Sequence, residues 1–206
     1  MDLLDRIQNR TAIVGIIGLG YVGLPLAVEI ASEGFEVTGF ELNTEKIHKI
    51  NEGISYIRDV ESATLKKVVE KGLMKATEDF SQIGKCQIIV ICVPTPLDRF
   101  KQPDLSYINQ AADTIQLHMQ KETLVILEST TYPGTTEEIL KPAFENDEKK
   151  VGEDFFLVFS PERVDPGNKK YKTRNIPKVV GGCTKKCADL AKTFYGTFLE
   201  APIFQV

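Results

Sequence analysis

Short runs of apolar, β-branched residues alternate with segments of helical periodicity along almost the whole chain. The pattern opens with a predicted strand at residues 12–17, a predicted helix at 22–32 and a second strand at 35–40. Continuous apolar runs at 88–93 and 123–127 are typical of strands that are covered on both faces of a parallel sheet. This repeated alternation predicts an α/β fold with a doubly wound, mostly parallel sheet and helices on both faces.

Further predicted elements continue the same pattern. The other predicted helices span residues 44–51, 61–71, 104–120, 135–144 and 185–195, with Asp104 as a cap of the third. The other predicted strands lie near 73–76, 155–159, 178–180 and 202–206. Right-handed crossovers would bring the carboxyl end of every strand to one edge of the sheet, where ligands of such folds bind. Functional residues are therefore expected in the loops that follow the strands.

Length and charge limit the classes of protein that fit. With 206 residues, of which 42% are apolar, the chain can fill one core, and we interpret residues 1–206 as a single domain. The net charge of −4 argues against a nucleic-acid-binding protein, which usually has a basic face. No apolar run has the length of a membrane span or a secretory signal, so the sequence predicts a soluble, cytoplasmic protein without a membrane partner.

The cysteines and histidines do not form a metal-binding pattern. Cys86 and Cys92 border or lie within an apolar run, where cysteine behaves as a small buried residue. Cys183 and Cys187 lie at the start of a predicted helix, with a spacing that is uncommon for zinc and without a nearby histidine. We therefore predict structural thiols and no bound metal.

A glycine-rich turn connects the first predicted strand to the predicted helix at 22–32. Its sequence is Gly18-Leu-Gly-Tyr-Val-Gly23. In this context the triplet predicts dinucleotide binding of the Rossmann type. Gly18 allows the tight turn, Gly20 lets the backbone approach a pyrophosphate, and Gly23 lets the helix pack closely. Tyr21 and Val22 open the helix, whose N–H groups and partial positive charge attract phosphates. These five residues are the predicted pyrophosphate site.

A carboxylate, Glu41, follows the second predicted strand. At this position a carboxylate accepts hydrogen bonds from the adenosine ribose and repels a 2′-phosphate, which favours NAD over NADP. Lys46 lies one turn into the next helix and would partly offset that repulsion. The alternative is a surface acid without a role, and the glycines alone leave FAD open as a cofactor.

Loops after three later strands carry further candidates. Pro94 and Thr95 belong to a rigid proline-bounded loop that can form a wall under a nicotinamide, or an ordinary strand-terminating turn. Ser129, Thr130 and Thr131 provide hydroxyls suited to a water, a sugar hydroxyl or a phosphate, and helix capping explains some of them. The last of these loops, at 160–168, contains Glu162 and Arg163.

This glutamate and arginine form a possible acid/base and anion-binding pair. A surface salt-bridge loop is the alternative interpretation of the same residues.

Four segments together resemble the UDP-glucose/GDP-mannose dehydrogenase family. They are Gly18-Leu-Gly-Tyr-Val-Gly-Leu-Pro25, Val93-Pro-Thr-Pro96, Glu128-Ser-Thr-Thr-Tyr-Pro-Gly-Thr-Thr-Glu-Glu138 and Phe159-Ser-Pro-Glu-Arg-Val-Asp-Pro-Gly-Asn168. The two longer segments are most similar to the branch that oxidises UDP-N-acetylglucosamine or UDP-N-acetylmannosamine. The resemblance implies oxidation of a sugar C6 alcohol to a carboxylate in two steps, with two NAD and a cysteine-bound intermediate.

The resemblance also implies roles for individual residues. Thr130 would help to hold a water and Glu162 would act as base or water activator, so these two are the implied catalytic residues. Thr95 and Thr130 would contact the cofactor, with Glu41 and Lys46 on the adenosine side. The implied substrate-binding residues are Glu162, Arg163, Val164 and Asn168.

One departure from the family pattern changes the expected activity. The family's nucleophilic cysteine, the central helix and its catalytic lysine lie beyond the end of this sequence, and none of the four cysteines present has matching neighbours. We therefore expect a domain or natural truncation that binds NAD but does not turn over a UDP-sugar by itself. Full-length relatives are expected to dimerise through the central helix, and this chain to be a monomer.

Two other functions fit the glycine turn. A stand-alone module that senses NAD or NADH would bind the dinucleotide, but it would not need a loop such as 160–168. A short hydroxyacid dehydrogenase would need a catalytic histidine or lysine on a loop at the sheet edge, whereas both histidines, His48 and His118, lie on predicted helices.

Overall fold

The computed structural model describes residues 1–97, 99–163 and 173–206. In these ranges eight strands form one sheet with the order β3-β2-β1-β4-β5-β6-β7-β8. The strands are β1 (Val14–Ile17), β2 (Val37–Phe40), β3 (Met74–Thr77), β4 (Ile88–Ile91), β5 (Thr123–Leu127), β6 (Phe155–Phe159), β7 (Lys178–Gly182) and β8 (Ile203–Gln205). The first six run parallel to one another, which confirms the predicted doubly wound α/β fold.

Helices cover both faces of this sheet. They are α1 (Leu3–Gln8), α2 (Gly23–Ser32), α3 (Thr44–Asn51), α4 (Ser62–Glu70), α5 (Ser106–His118), α6 (Lys141–Phe144) and α7 (Lys185–Tyr195). Short 3₁₀ helices occur at Phe80–Lys85 and Thr173–Asn175, and a π-helical turn at Thr136–Leu140. The helix α1 and the 3₁₀ helices were not predicted from the sequence.

The core consists of two apolar clusters, one on each face of the sheet. Alternate residues of a strand enter opposite clusters: Val90 packs on the side of α2 and α7, and Ile91 on the side of α5 and α6. The four residues of β1 and of β4 are all buried, as expected for strands covered on both faces. Burial of each Val or Ile side chain among them contributes roughly 1.5–3 kcal/mol, and the central strands thereby form a rigid base for the loops at their carboxyl ends.

The last two strands correct one expectation. β7 runs antiparallel to β6, with Phe159 opposite Gly181, and β8 runs parallel to β7. Not every strand therefore has its carboxyl end at the same edge. Because β7 is reversed, its first residue, Lys178, lies at the edge where β1 to β6 end.

Two predicted helix starts also differ in the structure. The segment predicted as one helix at 135–144 is a π-helical turn followed by α6, because Pro142 has no N–H to donate to the carbonyl four residues before it. The N-cap of α5 is Leu105 and not Asp104. The Asp104 carboxylate instead accepts a hydrogen bond from the Ser106 N–H at 2.9 Å.

Candidate functional site

The glycine-rich turn connects the end of β1 to the start of α2. Gly18 has φ +90°, and a Cβ there would lie 2.7 Å from the carbonyl oxygen of Cys92. A Cβ on Gly23 would lie 1.9 Å from the carbonyl oxygen of Gly18. A Cβ on Gly20 would meet no atom of the described chain within 4 Å. Gly18 and Gly23 are thus required by the turn itself, whereas Gly20 borders open space through which a ligand can approach the backbone.

The amino terminus of α2 is open to an anion. Its N-cap, Val22, makes no side-chain capping bond, and its first turn contains no acidic residue. Tyr21 is 63% exposed in the preceding turn. The partial positive charge of the helix end is therefore not compensated by a side chain of the helix, which suits binding of a pyrophosphate.

A cavity of about 590 Å³ extends from this turn between β2, β4 and α5. Such a volume is ordinary for a cofactor or small-molecule site. Of the candidates from the sequence, it is lined by Gly18, Gly20, Glu41, Lys46 and Pro94.

The cavity also involves residues that the sequence did not single out. Its opposite wall comes from α5 and from the 3₁₀ helix that starts at Phe80. This wall includes Phe80, Tyr107, Gln110 and Thr114. Tyr21, Val22, Gly23, Thr95, Thr130, Glu162 and Arg163 do not line this cavity. The structure therefore brings only part of the predicted site together in one cavity.

Glu41 forms one end of the cavity. Its Oε2 accepts a hydrogen bond from the Leu19 N–H at 3.3 Å, and its Oε1 accepts from the N–H groups of Leu42 at 3.0 Å and Asn43 at 3.2 Å. The side chain is 13% exposed, and Lys46 Nζ lies 3.5 Å from Oε2. These contacts fix a negatively charged acceptor beside the glycine turn, as recognition of a ribose without a 2′-phosphate requires.

Tyr56 is hydrogen-bonded to the glycine-rich turn. Its hydroxyl donates a hydrogen bond to the Leu19 carbonyl at 2.5 Å, and Lys46 Nζ lies 5.6 Å from the centre of its ring. Burial, and secondarily the charge of Glu41, raises the pKa of the Tyr56 hydroxyl well above its ordinary value. The Tyr56 hydroxyl therefore stays protonated and remains a hydrogen-bond donor. Tyr56 was not identified as part of the site from the sequence.

The hydroxyls after β5 serve different purposes. Ser129 Oγ donates to the Val93 carbonyl at 2.8 Å and so ties this loop to the one that contains Pro94 and Thr95. Thr131 and Thr135 are hydrogen-bonded to each other at 2.6 Å, so Thr135 makes no side-chain cap of the following turn. Thr130 is exposed, and in the described part of the chain its hydroxyl forms no hydrogen bond.

Glu162 lies beyond the end of β6, and its side chain is only 11% exposed. Its Oε1 accepts a hydrogen bond from the Arg163 N–H at 2.6 Å, and its Oε2 lies 3.8 Å from Lys178 Nζ. Arg163 is exposed. The two other predicted substrate-binding residues, Val164 and Asn168, lie outside the described residues.

A buried cluster of charged and polar groups lies next to Glu162 and was not recognised in the sequence. Lys178 Nζ lies 2.9 Å from Oε2 of Glu128, and the side chains are 5% and 0% exposed. Tyr195 donates a short hydrogen bond to Oε1 of the same carboxylate. Oε2 of Glu128 accepts no well-directed hydrogen bond from the described residues, so its contact with Lys178 is an ion pair rather than a directed bond.

The electrostatics of this cluster are strongly perturbed. Burial raises the pKa of Glu128 to about 7, although the charge of Lys178 opposes this rise. Burial lowers the pKa of Lys178, but the carboxylates of Glu128 and Glu162 raise it by more, so its pKa lies above the ordinary value. Two carboxylates therefore stabilise the Lys178 ammonium, and the pKa of one of them, Glu128, is raised toward neutral pH.

The two signals for this cluster were faint in the sequence. Lys178 is the only charged residue of its own short strand, and Glu128 directly follows an apolar strand. A charged side chain beside such runs needs a partner when it is buried.

None of the four thiols resembles a nucleophile. Cys86, Cys92 and Cys187 are buried, and Cys183 is half-buried. Burial raises the pKa of Cys86 to about 12 and that of Cys183 to about 11. The expectation that both Cys183 and Cys187 lie at the start of a helix holds for Cys187 only, because α7 starts at Lys185.

Two absences concern only the residues that the structure describes. Among them, no group of His, Cys, Asp or Glu side chains is arranged to hold a metal ion. No helix in these ranges combines the length and apolar character of a membrane span.

Comparison with known proteins agrees with this geometry. Residues 12–199 match the UDP-glucose/GDP-mannose dehydrogenase family, NAD binding domain. UDP-N-acetyl-D-glucosamine 6-dehydrogenase of Pseudomonas aeruginosa is 39% identical over 91% of this chain, and UDP-N-acetyl-D-mannosamine dehydrogenase of Pyrococcus horikoshii is 37% identical over 93%. These matches cover 44% and 46% of the two relatives, so the chain spans about half the length of the curated relatives it matches.

Solved structures give the same result. UDP-D-ManNAc dehydrogenase of Pyrococcus horikoshii superposes with a TM-score of 0.87 at 36% identity, over 94% of this chain and 46% of that one. A ternary complex of GDP-mannose dehydrogenase of Pseudomonas aeruginosa gives 0.86 at 30% identity, over 93% and 45%. The predicted resemblance and the predicted cofactor, NAD, are confirmed. This chain belongs to the UDP-glucose/GDP-mannose dehydrogenase family and contains its NAD binding domain.

Proposed function

We propose that this chain is the cofactor-binding half of an NAD-dependent nucleotide-sugar 6-dehydrogenase, which oxidises the C6 alcohol of a UDP-hexose or UDP-N-acetylhexosamine to a carboxylate. The main support is the cavity that joins the open face of Gly20 to the Glu41 carboxylate. One end of such a cavity suits a pyrophosphate and the other suits a ribose with free hydroxyls.

The cofactor would be held along this cavity by residues of this chain. Gly18, Gly20, Tyr21, Val22 and Gly23 would surround the pyrophosphate at the start of α2. Glu41 would accept hydrogen bonds from the adenosine ribose. NAD supplies the two-electron acceptor for each of the two oxidation steps.

The remaining contacts of the cofactor are also assigned to loops of this chain. Lys46 would lie beside the ribose, and Pro94 with Thr95 would form the wall under the nicotinamide. Ser129, by bonding to the Val93 carbonyl, keeps that wall fixed to the end of β5.

Two side chains near the sheet edge are the proposed catalytic groups. The Thr130 hydroxyl is exposed and has no hydrogen-bond partner among the described residues, so it is available to a water or to the cofactor. Glu162 would act as base or water activator, because its carboxylate lies beside the buried Lys178 ammonium and is thereby kept ionised. Arg163, and from the sequence Val164 and Asn168, would face the sugar.

The relatives favour an N-acetylated sugar. The two curated relatives described above are named as dehydrogenases of UDP-N-acetyl-D-glucosamine and UDP-N-acetyl-D-mannosamine. We propose the same substrate class, with much of its pocket in the half of the enzyme that this chain does not match.

The chain by itself is proposed to bind NAD without completing the oxidation. Oxidation to the acid by the family's route needs a reactive thiolate. Burial raises the pKa of Cys86, Cys92 and Cys183, which makes these thiols poor nucleophiles. We expect the full-length enzyme to be a homodimer and this chain to be a monomer.

Calorimetric titration of the chain with NAD⁺ tests the proposal. We expect binding of NAD⁺, weaker binding of NADP⁺, no binding of FAD, and loss of affinity in Glu41→Ala. Addition of UDP-N-acetylglucosamine should produce no reduced cofactor. A folded chain that does not bind NAD⁺, or that binds NADP⁺ equally well, would contradict the proposed cofactor site.

A further inference from the structure

Lys178 is a buried lysine between two carboxylates, and it belongs to none of the motifs discussed above. Its ammonium lies 2.9 Å from Glu128 Oε2 and 3.8 Å from Glu162 Oε2. It is the first residue of β7, and the antiparallel direction of that strand places it at the sheet edge where β5 and β6 end. Three strands therefore bring these three charges together.

We propose that Lys178 is a positioning residue that fixes the Glu162 carboxylate at the sheet edge, with Glu128 and Tyr195 holding Lys178 in place. This inference rests on the proposed function, in which Glu162 acts at the sugar. It adds to that site the residue that follows β5, the first residue of β7 and the last residue of α7.

The position of the ammonium is determined by its surroundings. Oε1 of Glu128 is occupied by the Tyr195 hydroxyl, so Oε2 is the oxygen left to face Lys178. The Lys178 ammonium also lies 5.1 Å from the centre of the Tyr195 ring, close enough for a favourable cation–π contact. The Cys92 thiol, at the end of β4, is the other titratable group that acts on Lys178. An ammonium buried to this degree is tolerated only with such compensation.

The Glu162 carboxylate is in turn held at both oxygens. Oε1 accepts from the Arg163 N–H and Oε2 faces Lys178. The spacing between the two strands is fixed next to this pair, because Ser160 Oγ donates to the Val179 carbonyl at 2.9 Å. A structural ion pair of Lys178 would need only Glu128. The approach of a second carboxylate from a loop indicates that the ammonium also orients Glu162 and keeps it ionised, as a base must be.

Carboxyl ¹³C NMR of the whole chain, without cofactor, tests this inference. The Glu162 signal is identified by its loss in Glu162→Gln, and its titration midpoint is measured in wild type and in Lys178→Met. We expect the midpoint to rise by about one pH unit or more when the ammonium is removed. Lys178→Arg keeps the charge and should restore most of the wild-type midpoint. Lys185→Met, which removes an exposed lysine at the start of α7, is the matched control and should leave the midpoint unchanged.

An unchanged Glu162 midpoint in folded Lys178→Met would overturn the proposal, even if thermal stability falls, since a purely structural lysine changes stability alone. If Lys178→Met does not fold because Glu128 loses its partner, the double variant Glu128→Gln/Lys178→Met is compared with Glu128→Gln, so that the two proteins differ only in the ammonium. The same rise of the Glu162 midpoint is then expected. The titration needs no cofactor, so failure of this inference is distinguishable from failure of NAD⁺ binding.

Discussion

The Cβ position of Gly23 lies 1.9 Å from the carbonyl oxygen of Gly18. No side chain can occupy that space without moving the turn away from β1. Gly20 lies between these two residues, yet its Cβ position has no neighbour within 4 Å among the described atoms. One short segment thus contains a glycine needed for packing and a glycine needed only if something binds there.

Alanine at these two positions should therefore have separable effects. We expect Gly23→Ala to lower the free energy of unfolding by about 3 kcal/mol, because the added methyl group overlaps a backbone oxygen. Gly20→Ala should change it by less than about 0.5 kcal/mol while weakening NAD⁺ binding at least tenfold, since the methyl group would meet the pyrophosphate. Urea unfolding and calorimetry measure the two quantities. Equal losses of stability in both variants would show that Gly20 is also a packing residue.

Substitution of Glu41 by glutamine should reduce the preference for NAD⁺ over NADP⁺. The variant keeps one acceptor oxygen for the backbone N–H groups beside it but removes the charge that repels a 2′-phosphate. With Lys46 left without its carboxylate, we expect the ratio of the two affinities to fall about tenfold, or roughly 1.4 kcal/mol. Glu45→Gln, at an exposed carboxylate of α3, is the matched control. A ratio that changes equally in both variants would contradict a specific role for Glu41.

Replacement of Tyr56 by phenylalanine tests whether its hydroxyl stabilises the glycine turn. The variant loses the hydrogen bond to the Leu19 carbonyl and keeps the ring beside Lys46. We expect a loss of about 1 kcal/mol in stability and a few-fold weaker NAD⁺ binding, because the turn becomes less rigid. Tyr132→Phe, at an exposed tyrosine, should alter neither. Unchanged affinity in Tyr56→Phe would mean that the turn is held by the glycines and Glu41 alone.

The cofactor side of the molecule was largely predictable because its signals are local. The glycine turn and Glu41 lie within or directly after elements whose type follows from nearby residues, and β5, β6, α3 and α7 have the predicted bounds. The wall of the cavity formed by Phe80 and α5 was not predicted, because it depends on how a helix packs across the sheet.

The buried cluster of charged and polar groups beside Glu162 could not be predicted for a related reason. Glu128, Lys178 and Tyr195 are far apart in sequence, and their contact depends on the reversal of β7. Strand direction at the edge of a sheet is determined by non-local pairing, which strand–helix alternation does not reveal. Assuming a parallel β7 would place Lys178 at the opposite edge of the sheet.

Glu128 is expected to make stability depend on pH. Its pKa in the folded chain is raised to about 7, from an ordinary value of 4.5, chiefly by burial. Between these two values the native state keeps a proton that the unfolded chain has lost. The free energy of unfolding contributed by this group is therefore highest below pH 4.5 and is lost as the pH rises toward 7.

Glu128→Gln removes this titration while keeping the size of the side chain and leaving Glu162 as a partner of Lys178. We expect the stability of wild type minus that of the variant to fall by a few kcal/mol as the pH rises through this window, and to be flat below it. Urea unfolding at a series of pH values measures the difference. Acids outside the core such as Asp79 and Asp154, whose pKa values are lowered by hydrogen bonds, lose their contributions only at more acidic pH, and they do so equally in both proteins. Parallel stability curves across the window would mean that Lys178 keeps Glu128 ionised throughout, and that the buried cluster contains two full negative charges rather than a shared proton.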